Sequence, residues 1–448
     1  MSAIEGGVCA PKGFFAGGVR CGIKAGGSKR DLALIGSERP CVSAAVFTAN
    51  RVQAANITVS REHARSGRIR ALIANSGNAN ACTGAAGLEA ARRMAALAAE
   101  KLGIPEVETA VASTGVIGVP LPMERIEAAM NELTASVGAG AAENDAALEA
   151  IMTTDTRKKA GAVVVDLPSP ANQKTDPAPR ISSMAAGAGS GVITIGAVCK
   201  GSGMIHPNMG TMICVITTDA AVSPPALDRA LRRAVNRSFN RLTIDGDMST
   251  NDMAIIMANG AAGNIPVEYG GPAWELFADA LEGLCVSLAR EMARDGEGAT
   301  RLMTVTVAGA ESEEAAAVLA RSVAASNLVK TAIFGADANW GRVLCALGYA
   351  GAACGSAAEP GFLRSRAAGT ETAFNPEKIS VAFTSTAGRI EVFREGAPLS
   401  FSEAAAKTIL LEDEITIEVT LGRGKGAASA WGCDLSYGYI EINGDYRS

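Results

Sequence analysis

An α+β fold, a layered sandwich of sheets and helices, is what the sequence predicts, and three observations carry that expectation. Helix-like and strand-like hydrophobic patterns alternate along the 448 residues without a fixed interval, so a solenoid is not indicated. Several short β-branched runs follow one another with no helical stretch between them, which disfavours a purely parallel doubly wound sheet. The hydrophobic class supplies 48% of the residues and the charged class 19%, which suits a large buried core and is far too apolar for a disordered chain.

Taken in chain order, AVFT at 45–48 reads as a strand and 84–102 as a helix, with Leu88, Ala91, Met94 and Leu97 on one face. A second helix is expected over 121–138. Strands are expected at VITI, 192–195, and TMICVITT, 211–218, separated by a glycine-rich turn. The helix predicted over 223–239 has Ser223 placed to cap its first turn and Pro224 at its first position. A long helix at 271–295 precedes four further strands: TVTV at 304–307, ISVAFT at 379–384, RIEVF at 389–393 and ITIEVT at 415–420. Residues 167–190, rich in Pro, Ala, Gly and Ser, read as an exposed loop or linker. LEDE at 411–414 reads as a solvated helix end.

Composition narrows the chemistry. The 41 Lys+Arg against 46 Asp+Glu give a net charge of -5, which suggests no nucleic-acid surface. With only His63 and His206, one chain cannot build a multi-histidine metal site or several histidine proton shuttles. The ten cysteines contain no C-x-x-C pair, which argues against a zinc ribbon and a disulfide scaffold. The N-terminal segment lacks the basic and apolar blocks of a signal peptide, and no apolar run reaches membrane-spanning length. A cytoplasmic protein without membrane partners is therefore expected.

Familiar nucleotide and hydrolase signatures are missing: there is no G-x-S-x-G, no G-x-x-x-x-G-K-[ST] and no H-E-x-x-H. GRGKGA at 422–427 matches G-x-G-x-x-A after a strand but leaves no room for a βαβ unit, so a glycine-rich hairpin turn is expected there. The acids Asp245, Asp247, Asp252 and Asp337 invite a metal reading, yet Asp and Asn beside Gly also form self-bonded turns. Turn roles are the expectation, with no metal.

The stretch Lys200–Ala220, KGSGMIHPNMGTMICVITTDA, runs from a glycine-rich turn into a strand beginning at Thr211. A hydroxyl at that junction, preceded by the unobstructed carbonyl of Gly210, is the arrangement that self-cleavage of a Gly-Thr bond requires. The Thr211 oxygen attacks the Gly210 carbonyl, an N-to-O acyl shift gives an ester, and water releases a new N-terminus. The freed amine, with a reference pKa of about 7.7–8.0, can then act as general base for the adjacent hydroxyl. On spacing alone, an ordinary loop entering a strand accounts for the same residues.

Lys200–Ala220 also resembles, almost residue for residue, the cleavage segment of the ornithine acetyltransferase (glutamate N-acetyltransferase) family of arginine biosynthesis. The resemblance extends over nearly the whole chain through APKGF at 10–14, FTANRVQAAN at 47–56, NSGNANACTG at 75–84, STGVIG at 113–118 and MTTDT at 152–156. It continues in FNRLTIDGDMSTND at 239–252, LVKTAIFGADANWGR at 328–342 and WGCDLSYGYIEINGDYRS at 431–448. It implies an αββα-like sandwich related to the self-processing aminopeptidases, and a precursor cut into an α chain, 1–210, and a β chain, 211–448, assembling as an α2β2 heterotetramer. The implied acyltransferase reaction is ping-pong. Thr211 takes the acetyl group from N2-acetylornithine, ornithine leaves, and glutamate accepts the acetyl group, with no metal or redox cofactor.

By the same resemblance Thr114 and Gly115 form the oxyanion hole, where each donor is worth about 3–4 kcal/mol of barrier. Thr153, Lys200, Glu297, Asn443 and Ser448 match substrate-contacting positions. Their chemistry suits an amino acid, since Lys200 can pair with a carboxylate and Glu297 with an ammonium group. Ser448, the last residue, implies that the C-terminus reaches the site. His206 near the cleavage turn has no role in this pattern, and for Asp245, Asp247, Asp252 and Asp337 the resemblance implies structural or site-shaping work. The resemblance leaves acetyl-CoA open as a further acetyl donor. Two rivals remain: a self-processing aminopeptidase or amidohydrolase, which surrenders the same acyl intermediate to water, and an uncleaved binding protein.

Overall fold

The computed structural model describes residues 1–24, 29–168, 191–206, 212–350, 374–422 and 424–444. Gly210, Thr211, Ser448 and the 169–190 part of the proline-rich stretch therefore lie outside the described residues.

The chain opens with β1 (Ser2–Ile4), β2 (Phe14–Val19), β3 (Leu32–Ser37) and β4 (Val42–Phe47). Helix α1 (Ala55–Ala64), β5 (Ala71–Asn78), α2 (Gly84–Leu102), β6 (Thr109–Val116), α3 (Met123–Ala135) and α4 (Ala141–Ile151) follow. Next come β7 (Lys159–Asp166), β8 (Val192–Lys200), β9 (Ile213–Thr218), α5 (Pro224–Arg237), β10 (Met253–Ala258) and α6 (Pro272–Arg294). The remainder is β11 (Leu302–Ala310), α7 (Glu313–Ala325), α8 (Asn327–Phe334), α9 (Trp340–Ala350), β12 (Ser380–Ser385) and β13 (Gly388–Arg394). It closes with β14 (Ala397–Pro398), α10 (Glu403–Leu410), β15 (Glu414–Thr420), β16 (Gly426–Cys433) and α11 (Tyr437–Gly444).

Strands buried on both faces build the αββα layers. A six-stranded sheet runs β1-β7-β8-β9-β10-β4, and a four-stranded sheet runs β2-β3-β5-β6. Because side chains alternate along a strand, Cys214 and Ile216 of β9 enter one core with Leu227 and Leu231 of α5 and Phe277 and Leu281 of α6. Ile213 and Val215 point the opposite way, into a second core with Ile35, Leu72 and Ala112 of the four-stranded sheet. That sheet turns Leu34, Ile73 and Val111 toward Met94 of α2 and Ile126 and Met130 of α3. The order of layers is thus α5/α6, six-stranded sheet, four-stranded sheet, α2/α3. A third sheet, β14-β13-β12-β15-β11-β16, packs its own core against α7, α9 and α10.

The α+β expectation holds, and the predicted helices match to within a few residues. Two local expectations are corrected. Ser223 does stand at the N-cap of α5, but its side chain makes no capping bond. Pro225, at the second position, has no N–H to offer it. GRGKGA is not a hairpin turn, because β11 lies between β15 and β16, parallel to the first and antiparallel to the second. The connection crosses the end of β11, where a Cβ on Gly424 would lie 2.0 Å from the Ala310 carbonyl oxygen and one on Gly426 2.3 Å from Ser312. Close backbone approach is what the glycines supply.

Among the described residues all nine cysteines are free thiols. No single described helix is long and apolar enough to cross a membrane.

Candidate active site

The site forms where the two stacked sheets meet at one end. Antiparallel pairing places Lys200, the last residue of β8, opposite Ile213 of β9. Chain connectivity alone then puts Thr211 two residues ahead of that pair. From the other sheet, β6 brings Thr114 and Gly115 to its C-terminal end, in parallel register with Ser76 and Gly77 of β5.

Lys200 is 3% exposed, and a buried ammonium requires partners. Its Nζ donates to Thr153 Oγ1 at 2.9 Å and to Thr114 Oγ1 at 3.4 Å, and lies 3.8 Å from Asp155 Oδ2. Each threonine oxygen accepting from Lys200 leaves its own O–H free to donate elsewhere, which is the orientation an oxyanion or substrate carbonyl needs. Gly115 has φ +133, and a Cβ there would lie 2.3 Å from the Gly77 carbonyl carbon. Gly115→Ala is therefore expected to cost about 1–3 kcal/mol of stability through backbone strain and to lower turnover, measured by urea unfolding and initial rates. Unchanged values for both would remove the role given to this contact.

Behind Lys200 runs a chain of buried charges. Asp155 accepts from the Thr153 amide at 3.0 Å, the Gly201 amide at 2.7 Å and Lys159 Nζ at 2.7 Å. Lys159 also pairs with Asp295 at 2.5 Å, and Asp295 accepts from the Thr156 and Arg157 amides. Burial acts to raise the Asp155 carboxyl, but Lys200, Lys159 and the Gly201 amide hold it well below the usual carboxylate range. Burial likewise opposes the Lys159 ammonium, and its two carboxylates still raise it above the ordinary lysine value.

The segment after Lys200 leads to the second half of the site. The Glu297 amide donates to the Ser202 carbonyl at 2.8 Å, and Ser202 Oγ meets Thr154 Oγ1 at 2.8 Å. A Cβ on Gly203 would fall 2.2 Å from the Glu297 carboxylate, so that carboxylate lies directly on the 201–203 backbone. Asn443, on α11, donates to Glu297 Oε2 at 2.8 Å. Thr114, Gly115, Thr153 and Lys200 thus form one cluster, and Glu297 and Asn443 a second, joined through Ser202.

Asp155, Lys159 and Asp295 were not singled out from sequence. Asp155 stands inside MTTDT and Asp295 inside the DGEGAT stretch, so the one available signal was an acid beside each named residue. His206 donates to or accepts from Thr243 Oγ1 at 3.0 Å, and burial beside Arg321 pushes its pKa down to about 3, leaving a neutral ring. Three acids of the metal reading are taken up by hydrogen bonds within the protein: Asp245 accepts from the Ile205 amide at 2.8 Å, Asp252 from the Met212 amide at 2.8 Å and Asp337 from Asn339 Nδ2 at 3.0 Å. Among the described residues no group of three or more His, Cys, Asp or Glu is placed to share a metal ion.

Comparison with known proteins identifies the family. The model of the ArgJ family matches residues 15–191 and 169–448. The arginine biosynthesis bifunctional protein ArgJ of Symbiobacterium thermophilum is 46% identical over 450 residues, covering 100% of both chains. Its namesake from Caldanaerobacter subterraneus is 45% identical over 452 residues, again covering 100% of both. The crystal structure of the Bacillus halodurans ArgJ protein is 41% identical, covers 51% of this chain and 96% of that one, and has a TM-score of 0.44. The resemblance read from Lys200–Ala220 and its companion blocks is borne out: this chain belongs to the ArgJ family.

Proposed function

We propose that this protein transfers the acetyl group of N2-acetylornithine to glutamate in arginine biosynthesis, by a ping-pong route through an acetyl ester on Thr211. The observation that carries the reading is the convergence of Lys200, Thr114 and Thr153 within hydrogen-bond reach, beside Gly115 and at the mouth of the strand that follows Thr211. Full-length kinship with proteins named for arginine biosynthesis supports it.

Self-cleavage comes first and gives an α chain, 1–210, and a β chain, 211–448. Strands from both sides of that bond share the six-stranded sheet, β8 pairing with β9, so the two chains stay joined after the cut. The Thr211 oxygen then attacks the acetyl carbonyl carbon while its proton passes to the Thr211 α-amine. The Thr114 hydroxyl and the Gly115 amide receive the oxyanion. The C–N bond breaks and the proton held by the Thr211 amine leaves with ornithine. Glutamate's neutral amine then attacks the ester carbonyl and passes a proton to the Thr211 amine, the C–O bond to Thr211 breaks, and its oxygen takes that proton back. Lys200 serves a substrate carboxylate, Glu297 with Asn443 an ammonium group, and Ser448 the C-terminal end of the site. Protein groups supply every proton and every charge in these steps, so the reading needs neither metal nor redox cofactor. Acetyl-CoA is the second donor that a bifunctional protein of this kind would use. An α2β2 assembly in the cytoplasm completes the reading, and the free thiols suit a reducing compartment.

The test is an assay of purified protein with N2-acetylornithine and glutamate, alongside its intact mass. Expected are N-acetylglutamate, ornithine and two fragments, one starting at Thr211. Free acetate without N-acetylglutamate would mark an amidohydrolase. A single intact chain of 45.5 kDa would leave only a binding protein.

A further inference from the structure

The sequence block DGDMSTND ends in two residues that touch both halves of the proposed machinery. Asn251, 4% exposed, donates through Nδ2 to the Ser113 carbonyl at 2.8 Å, to the Ala79 carbonyl at 2.6 Å and to Asn56 Oδ1 at 3.1 Å. Ser113 immediately precedes the Thr114–Gly115 pair on β6. Asp252, 0% exposed, accepts the Met212 amide on Oδ1 at 2.8 Å, and Met212 immediately follows Thr211 in the chain. Its own backbone is held in turn, because its carbonyl accepts from the Thr48 amide at 3.0 Å while the Met253 amide donates to the Met212 carbonyl at 3.0 Å.

We propose that Asn251 and Asp252 are positioning residues: adjacent in the chain, they lock the oxyanion strand β6 and the lead-in to β9 to one rigid point. The inference rests on Thr211 as nucleophile and Thr114–Gly115 as oxyanion hole. Neither residue need touch substrate. The spacing between attacking oxygen and oxyanion donors must be kept within a fraction of an ångström, and two strands from different sheets share no ladder that would fix it. A buried dipeptide bonded to each strand next to its reacting residue supplies that link. Asp252 Oδ2 is buried with no hydrogen-bond partner among the described residues, and burial pushes the carboxyl well above the usual carboxylate range although the Met212 amide works against it.

Asp252→Ala tests the idea, with Asp252→Asn as the conservative variant because its side-chain oxygen can still accept from Met212. The readouts are the self-cleavage half-time, kcat and KM of the cleaved fraction, and the melting temperature. Misplacement of reacting groups by about 1 Å costs on the order of a hundredfold. Asp252→Ala is therefore expected to slow cleavage and kcat by about that factor with KM within roughly threefold, and Asp252→Asn to recover most of the loss. Asn251→Ala, which frees the oxyanion strand instead, is expected to give the same kcat-against-KM pattern and keeps the test open if Asp252→Ala does not fold. Wild-type rates in either folded alanine variant, a loss confined to KM, or an asparagine variant as slow as the alanine one would overturn the proposal. An uncut or inactive wild-type protein would instead overturn the reading of Thr211 on which it rests.

Discussion

Thr211→Ala is expected to remain one chain of 45.5 kDa and to form no N-acetylglutamate, whereas Thr211→Ser still cuts and keeps part of the transfer activity. In the proposed reading one oxygen performs both reactions: it attacks the Gly210 carbonyl in the precursor and the acetyl carbonyl in the mature protein. Its loss should lower transfer by roughly 10⁴-fold or more, as loss of a covalent nucleophile does. The placement of the two histidines strengthens the expectation. His63 sits on α1 with Nδ1 2.8 Å from the Thr109 carbonyl, at the start of β6. Thr114 lies five residues on, about 16 Å along an extended strand. His206 is held neutral against Thr243. Neither ring is given a part in the proposed reaction, whose base is the α-amine that cleavage creates, so under that reading a precursor that cannot cleave also lacks its base. Intact-mass spectrometry and product chromatography check both halves. A Thr211→Ala protein cut at the usual bond, or transferring at a tenth of the wild-type rate, would sink the assignment.

What was readable in the sequence divides by physical cause. The amphipathic helices α2, α3, α5 and α6 were legible because one face of each is buried and the other wet, which writes the 3.6-residue period into the residues. Strands β12, β13 and β15, rich in β-branched residues, were equally plain. Among the strands the sequence reading does not reach, several are rich in small residues: FFAGGV in β2, ALIANSGN in β5 and GAASAWGC in β16. Alanine and glycine have low strand propensity, and these segments are extended because sheets stack tightly over them, a tertiary effect no local window contains. The site divides in the same way. Thr114, Gly115, Thr153, Lys200, Glu297 and Asn443 stand in motifs whose family resemblance names them, and the structure brings them into two touching clusters. Asp155, Lys159 and Asp295 span 140 residues of sequence between the first and last, and their partnership exists only after β7 is placed beside the end of α6.

Those three residues carry the largest expected effect on stability. Lys159→Met is expected to destabilise the protein by about 3–5 kcal/mol at neutral pH, the usual cost of removing one partner from a buried charge set. In the wild type the order Asp295, Lys159, Asp155, Lys200 alternates in sign, so four buried charges sum to zero. Removing the second leaves Asp295 with backbone amides and the Thr156 hydroxyl alone. The sign with pH follows. Asp155 lies below its ordinary value of 3.8, so its contribution is present above that value and fades only in stronger acid. Lys159 lies above its ordinary 10.5, so its contribution is present below 10.5 and fades in stronger base. Between those limits Asp155 and Lys159 add no slope to stability. In Lys159→Met, Asp295 loses its cation while Asp155 keeps Lys200, and taking up a proton relieves the uncompensated charge, so the deficit should shrink as pH falls from 8 toward 5. Adding Asp295→Asn should recover part of the loss at pH 8 because it removes that charge directly. Urea unfolding of the single and double variants at both pH values measures this. A deficit that is the same at pH 5 and pH 8, and is not reduced by Asp295→Asn, would mean that the methylene packing of Lys159, and not its charge, holds β7 to α6. Transfer activity separates the two accounts further: a charge role predicts that Lys200, left paired to Asp155 and Thr153, keeps its position in the folded fraction of the variant, so the rate per folded molecule should fall far less than stability does.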